Sequence, residues 1–116
     1  MKLGSALATF GKSAALSLGS AAAARSLLAD LSSADENVRT LAGMFLVRNG
    51  RRSLPVLRQA LARREQLPTV LTMLADIAAP ESEAEIGRFV DDADPEVAQA
   101  ARMALDVWRR NRSGPR

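Results

Sequence analysis

The chain contains no cysteine, no histidine and no tyrosine. Without cysteine it can form neither a disulfide nor a thiolate metal site. Without histidine it lacks the commonest metal ligand and the commonest general base. Aromatic residues are also scarce, one Trp and three Phe. A core with so few rings is built from Leu, Val and Ala, which favours closely packed helices over a β-sandwich. Long apolar runs are missing as well. Residues 13–24 are the longest uncharged stretch near the start, and they are mostly Ser, Ala and Gly. They do not read as a membrane span. Lys2 and the alanine-rich stretch have a faint likeness to a secretory signal, but Lys12 interrupts the apolar part. The expected location is therefore cytoplasmic.

What is present bounds the answer further. A length of 116 residues allows one domain, and an apolar content of 47% is enough for a real core. The net charge of +3 is unevenly spread. Residues 1–64 carry ten basic and three acidic side chains, and residues 65–116 carry six and ten. Arginine outnumbers lysine fourteen to two. A GC-rich bacterial genome explains that bias, and the abundant alanine, as well as a binding role does.

The strongest pattern is a repeat of about thirty residues. With Val97 set under Leu67 and Val38, three stretches align: NVRTLAGMFLV, QLPTVLTMLAD and EVAQAARMALD. Met44, Met73 and Met103 then fall in register, as do Leu41, Val70 and Ala100. Apolar residues recur at i, i+3, i+4, i+7 and i+8, for example Val38, Leu41, Ala42, Phe45 and Leu46. That spacing is one face of an amphipathic helix. A second series alternates with the first, at Leu27 and Leu31, Leu57 and Leu61, and Ile86 and Val90. The punctuation agrees. Asp35 and Asp94 suit helix N-caps, with Pro95 in a first turn. Ser82 and Glu85 have capping-box spacing. Asn49-Gly50 suits a left-handed helix end. The pattern predicts helices at about 3–18, 21–33, 36–49, 53–64, 68–78, 82–91 and 95–110.

The stretches SADENVRTLAGMFLV with LPVLRQAL, and DDADPEVAQAARMALDVW, resemble HEAT repeats of the short bacterial type. Asp35, Val38 and Arg39 match that family's Asp-turn and Val-Arg pattern, as do Asp94, Pro95, Val97, Ala100 and Ala101. Ala98 stands where the pattern has Arg, and Leu67-Pro68 where it has Val-Arg. The resemblance spans residues 22–109. It implies an all-α fold, a short HEAT-like α-solenoid of three helical hairpins plus an N-terminal helix. Residues 1–20 form the N-terminal amphipathic helix, 21–110 the repeat domain and 111–116 a disordered basic tail. Each hairpin of such an array buries its faces on its neighbours. Small residues at Ala100, Ala101 and Ala104 then allow close approach, and Met103, Leu105, Val107 and Trp108 fill the remaining space. Gln99, Arg102, Asp106, Arg109 and Arg110 form the polar outer face of the last unit. Iron-dependent hydroxylases of the wider family need His-Glu motifs that are absent here. Its bilin lyases and DNA-repair glycosylases are much longer chains.

Candidate chemistry is sparse. FGKSA at 10–14 has a P-loop flavour, but the preceding Gly4 is at the wrong spacing and no strand precedes it. The acidic set Glu81, Glu83, Glu85, Asp91, Asp92, Asp94 and Glu96 lacks the alternating ligands and glycine of an EF-hand. It reads as charge at helix N-termini. No catalytic residue, cofactor or metal is expected, and the chain is not expected to be an enzyme. Leu3, Leu7, Phe10, Ala14 and Leu18 share one face of the first helix, which caps the first repeat or docks on another chain. Membrane contact is disfavoured because the polar face has only Lys2 and Lys12. The arginine cluster is the main surface feature, either a solvated face or a partner site. The expected role is a non-catalytic protein–protein interaction module, an adaptor or small subunit of a larger bacterial assembly. Its partner-binding residues are expected to be Arg39, Arg48, Arg51, Arg52 and Arg63, pairing carboxylates of an acidic partner surface. The alternative is a nucleic-acid-binding HEAT-like protein using the arginine-rich first half. Self-association of the basic half with the acidic half of another copy is a third reading.

Overall fold

In the computed structural model, residues 3–17 and 19–113 are described. The helices are α1 (Leu3–Ser17), α2 (Ala21–Asp30), α3 (Glu36–Arg48), α4 (Leu54–Ala62), α5 (Leu67–Ile77), α6 (Ser82–Gly87) and α7 (Pro95–Ser113). A 3-10 turn, Gly50–Ser53, links α3 to α4. The fold is all-α, with no strand among the described residues. No helix among them is long and apolar enough to cross a membrane.

Caps set the helix ends. Asp35 Oδ1 accepts from the Asn37 amide at 2.9 Å, and Asp94 Oδ1 from the Glu96 amide at 3.0 Å. Each satisfies a donor that the first helical turn leaves open. Ser20 caps α2 through the Ala23 amide. Gly50, at φ +54°, ends α3 in the left-handed conformation that glycine adopts without a Cβ clash. Pro68 sits in the first turn of α5, where no N–H is needed. The capping box at α6 takes another form. Ser82 Oγ donates to Glu85 Oε1 at 3.3 Å, while the N-cap is Glu81, which makes no side-chain cap bond.

Several boundaries differ from the sequence pattern. α2 ends at Asp30 and not at 33, because the amides of Leu31, Ser32 and Ser33 bond back three residues, and α4 ends at Ala62 and not at 64. After Gly87 the amides of Phe89 and Val90 bond back three residues, so α6 tightens into turns instead of running to 91. Residues 50–53 form the 3-10 turn before Pro55, so α4 begins at Leu54. α7 runs through Ser113, three residues into the expected basic tail, because Asn111 and Arg112 bond to carbonyls near the end of α5. Residues 114–116 lie outside the described residues, as does Leu18.

The chain divides into two units, Met1–Arg58 and Gln59–Arg116. In the first, α1, α2 and α3 each pack against the other two. Their core is Leu16, Ala24, Leu27, Leu28, Val38, Ala42, Phe45 and Leu46. Lys12 Nζ bonds to Asp30 Oδ2 at 2.8 Å, tying α1 to α2. Buried Ser53 donates to the Leu46 carbonyl at 2.5 Å, holding the 3-10 turn on α3. In the second unit α5, α6 and α7 likewise pack pairwise. Leu67, Val70, Leu71, Leu74, Ile86, Val97, Ala101 and Ala104 are buried there.

The repeat register is visible in burial. Val38, Leu67 and Val97 are all buried, as are Ala42, Leu71 and Ala101, and Phe45, Leu74 and Ala104. Leu27, Leu57 and Ile86 of the alternate series are fully buried. The methionines separate. Met73 is 4% exposed, whereas Met44 and Met103 are 51% and 61% exposed. Met103 therefore fills no core space; it lies about 120° around α7 from the buried Val97 position. Ala100, Leu105, Val107 and Trp108 are half-buried, and Gln99, Arg102, Asp106, Arg109 and Arg110 are exposed as expected.

The end of α5 is closed from α7. Trp108 Nε1 donates to the Ala79 carbonyl at 2.9 Å, Asn111 Nδ2 to Ala75 at 3.0 Å and Arg112 Nη1 to Ala78 at 3.3 Å. The Ala75 carbonyl is one that the C-terminus of α5 leaves unpaired, while Ala78 and Ala79 lie just past it. The Arg112 guanidinium also lies 5.8 Å from the Trp108 ring centre. Ala78 holds φ +58°, a left-handed geometry unfavourable for a residue with a Cβ. Ala78→Gly should therefore stabilise the protein by roughly 0.5–1 kcal/mol, measured as a rise in denaturant midpoint at unchanged m-value.

The α4–α5 loop is fixed by Arg64, whose Nη1 and Nη2 fork onto Asp92 Oδ1 and Oδ2 at 3.0 and 2.8 Å. The Arg64 hydrogen bond, then the Asp94 amide, hold the Asp92 carboxyl below its usual range. A depressed carboxylate contributes stability that is complete above its unfolded value and is lost as pH falls through its folded value. Asp92→Asn should lower stability at neutral pH and reduce the acid-side slope of a pH series of thermal melts.

Candidate partner-docking face

The last turn of α3 carries the site. Arg48 sits there, where a cation complements the negative end of the helix dipole. The left-handed Gly50 then turns the chain, and Arg51 and Arg52 follow at once on the 3-10 turn. All three are exposed. Arg52 lies over the α1–α2 turn, where a Cβ on Gly19 would stand 3.9 Å from its Nη1. The guanidiniums of Arg48 and Arg52 have no hydrogen-bond or ion-pair partner among the described residues.

Of the five expected partner-binding arginines, the fold thus gathers Arg48, Arg51 and Arg52. Arg39 is nine residues earlier on α3, about 13 Å along the axis. Its Nη1 donates to the Ser33 carbonyl at 2.7 Å, bracing the α2–α3 turn. Arg63 is exposed and belongs to the second unit.

Beside Arg48 runs a groove of about 440 Å³ between α1 and α3. Phe10, Ser13, Ala14 and Ser17 line one side, and Phe45, Arg48 and Asn49 the other. Phe10 and Phe45 meet edge to face, with ring centres 5.0 Å apart at 61°. That is a favoured aromatic geometry. The polar wall is satisfied internally. Ser17 Oγ donates to Asn49 Oδ1 at 2.8 Å, and Asn49 Nδ2 donates to the Phe45 carbonyl at 2.8 Å. Asn49 Nδ2 also reaches Ser13 Oγ at 3.5 Å.

The groove itself is not evident in the sequence. The apolar face of the first helix is, and Phe10 and Ala14 lie on it. Ser13 and Ser17 flank that face, and their partner Asn49 carries only a helix-end signal in the sequence. The FGKSA segment is continuous helix within α1, and its Lys12 is paired with Asp30, so it builds no phosphate loop.

The acidic residues have structural work in the second unit. Asp92 holds Arg64, Asp94 caps α7, and Glu83 and Asp91 approach Arg109 and Arg102 at 3.7 and 3.6 Å. Burial pushes the Asp76 carboxyl of α5 up from its ordinary value. No group of three or more acidic side chains among the described residues is placed to hold a metal ion.

Arg48 and Phe45 should separate in a stability measurement. Arg48→Gln should change unfolding free energy by less than about 1 kcal/mol, because it breaks no contact. Phe45→Ala should cost roughly 3–5 kcal/mol, since its ring is buried on α1. Urea unfolding of both variants checks this. Comparison of the chain with known protein families, with characterised proteins and with solved structures returns no match.

Proposed function

We propose that the chain is a short HEAT-like helical array that binds another protein and catalyses no reaction. The observation that carries this reading is the pair of unpartnered guanidiniums, Arg48 and Arg52, with Arg48 lining one groove with the exposed Phe10 ring. An arginine fork next to apolar surface is the composition of binding hot spots. Such forks pair carboxylates in two-point geometry, so the partner surface is acidic.

The array reading draws on the repeat register. Val38, Leu67 and Val97 share one degree of burial, and Met73 is covered where Met44 and Met103 are open. Equivalent positions with a common burial are what a repeated helical unit leaves in a chain. A chain of this kind acts as an adaptor or a small subunit of an assembly.

Nucleic acid is the second reading, because residues 1–58 carry eight basic and three acidic side chains. Phosphate-backbone binding would need only this charge. Affinity capture from the native cell, with and without nuclease, separates the two. The wild-type chain should retain a specific protein through nuclease treatment. The double variant Arg48→Glu, Arg52→Glu should lose it. Loss of all retention after nuclease would favour the second reading, and identical retention by wild type and variant would remove the arginines from the site.

A further inference from the structure

We propose that the α1–α3 groove is a docking slot for a segment of a partner protein. That segment places an apolar side chain against Phe10 and Ala14 and a neighbouring carboxylate on Arg48. The inference rests on the protein-binding reading and names the chemistry that the partner presents.

The lining decides that chemistry. Ser13, Ser17 and Asn49 bond to one another or to the Phe45 carbonyl. They have little left to offer a ligand. What remains is the exposed Phe10 ring with Ala14, Phe45 being already buried, and one guanidinium without a partner. A ligand of apolar surface alone would leave Arg48 beside it without an acceptor. A ligand of charge alone would leave the Phe10 ring wet. Only an apolar group adjacent to an anion uses both.

Charge complementarity comes from outside the unit. Residues 1–58 contain three acidic side chains, and none serves Arg48. Asp30 holds Lys12, Asp35 caps α3, and Glu36 lies in the first turn of α3, about 18 Å from Arg48 along the axis. A carboxylate reaching Arg48 is therefore supplied by the occupant.

The extent of the apolar surface favours a chain segment. Leu7, 60% exposed, lies one turn before Phe10, which is itself 54% exposed. Met44, also open to solvent, lies one turn before Arg48 on α3. A small molecule filling 440 Å³ would leave Leu7 and Met44 in water. A short peptide crossing the groove would cover them, in the manner of anchors laid into an apolar channel.

The test is a titration of the ¹⁵N-labelled full chain, followed by amide shifts. The probe is an acetylated and amidated peptide carrying one phenylalanine flanked by glutamates. Shifts are expected at Phe10, Ser13, Phe45 and Arg48. The glutamine counterpart of the peptide should bind about tenfold more weakly, and so should Arg48→Gln with the original peptide. Ala14→Leu fills the groove from an exposed position without changing charge, and should abolish the shifts while leaving the remaining spectrum folded. Shifts confined to Arg51 and Arg52, and insensitive to Ala14→Leu, would overturn the groove while keeping a basic protein-binding turn. No shifts at millimolar peptide would overturn it too. Groove shifts that grow with protein concentration in the absence of peptide would assign the slot to a second copy of the chain.

Discussion

The constraint on which this fold depends is the close approach of helices along one recurring stripe. Val38, Ala42 and Phe45 hold it in α3, Leu67, Leu71 and Leu74 in α5, and Val97, Ala101 and Ala104 in α7, all buried. With so few aromatic rings, interior density has to come from proximity. The stripe is not uniform, and the differences are compensated. Where α3 has Phe45, α7 has Ala104, and the missing volume returns one turn later as Trp108 in place of Asn49. In both cases the residue at that later position also bonds toward the helix two before its own. Asn49 meets Ser13 and Ser17 of α1, and Trp108 meets the carbonyl of Ala79 just past α5. One repeat position thus carries the same duty with two chemistries.

The same substitution pattern separates the two units in charge. In the second, carboxylates were placed within reach of the cations. Arg64 is forked onto Asp92, Arg102 and Arg109 face Asp91 and Glu83, and Arg112 covers Trp108. The longer pairs are exposed and worth little, but they leave less free charge at that surface. In the first unit the three acids are spent on Lys12 and at the start of α3. Arg48 and Arg52 keep their field, and an acidic partner would be drawn toward them.

Helix content was legible because periodicity and caps agree. Asp35, Asp94, Pro68 and Gly50 each carry a local reason for their place, and each acts as that reason predicts. The misread ends are those where distant groups decide. α7 reaches Ser113 because Asn111 and Arg112 find carbonyls near the end of α5, and no window of sequence contains both partners. Met103 was misassigned because repeat register sets which face a residue occupies, but not whether another helix covers that face. The arginine cluster was half legible. Arg48, Arg51 and Arg52 are neighbours in sequence and stay neighbours in space. Arg39 is held by Ser33, a contact that depends on how the α2–α3 turn closes. The groove joins residues more than thirty positions apart, and its polar wall became visible only once α1 lay on α3.

The bonds that Trp108, Asn111 and Arg112 make to Ala79, Ala75 and Ala78 have a bearing on how the chain is made. In the first unit, the bonds from Lys12 to Asp30, Ser17 to Asn49 and Ser53 to Leu46 all lie within residues 12–53. The second cannot seal the end of α5 until residues 108–112 are synthesised. On a chain made from its N-terminus, those bonds of the basic unit can therefore form before the end of α5 has the residues that close it.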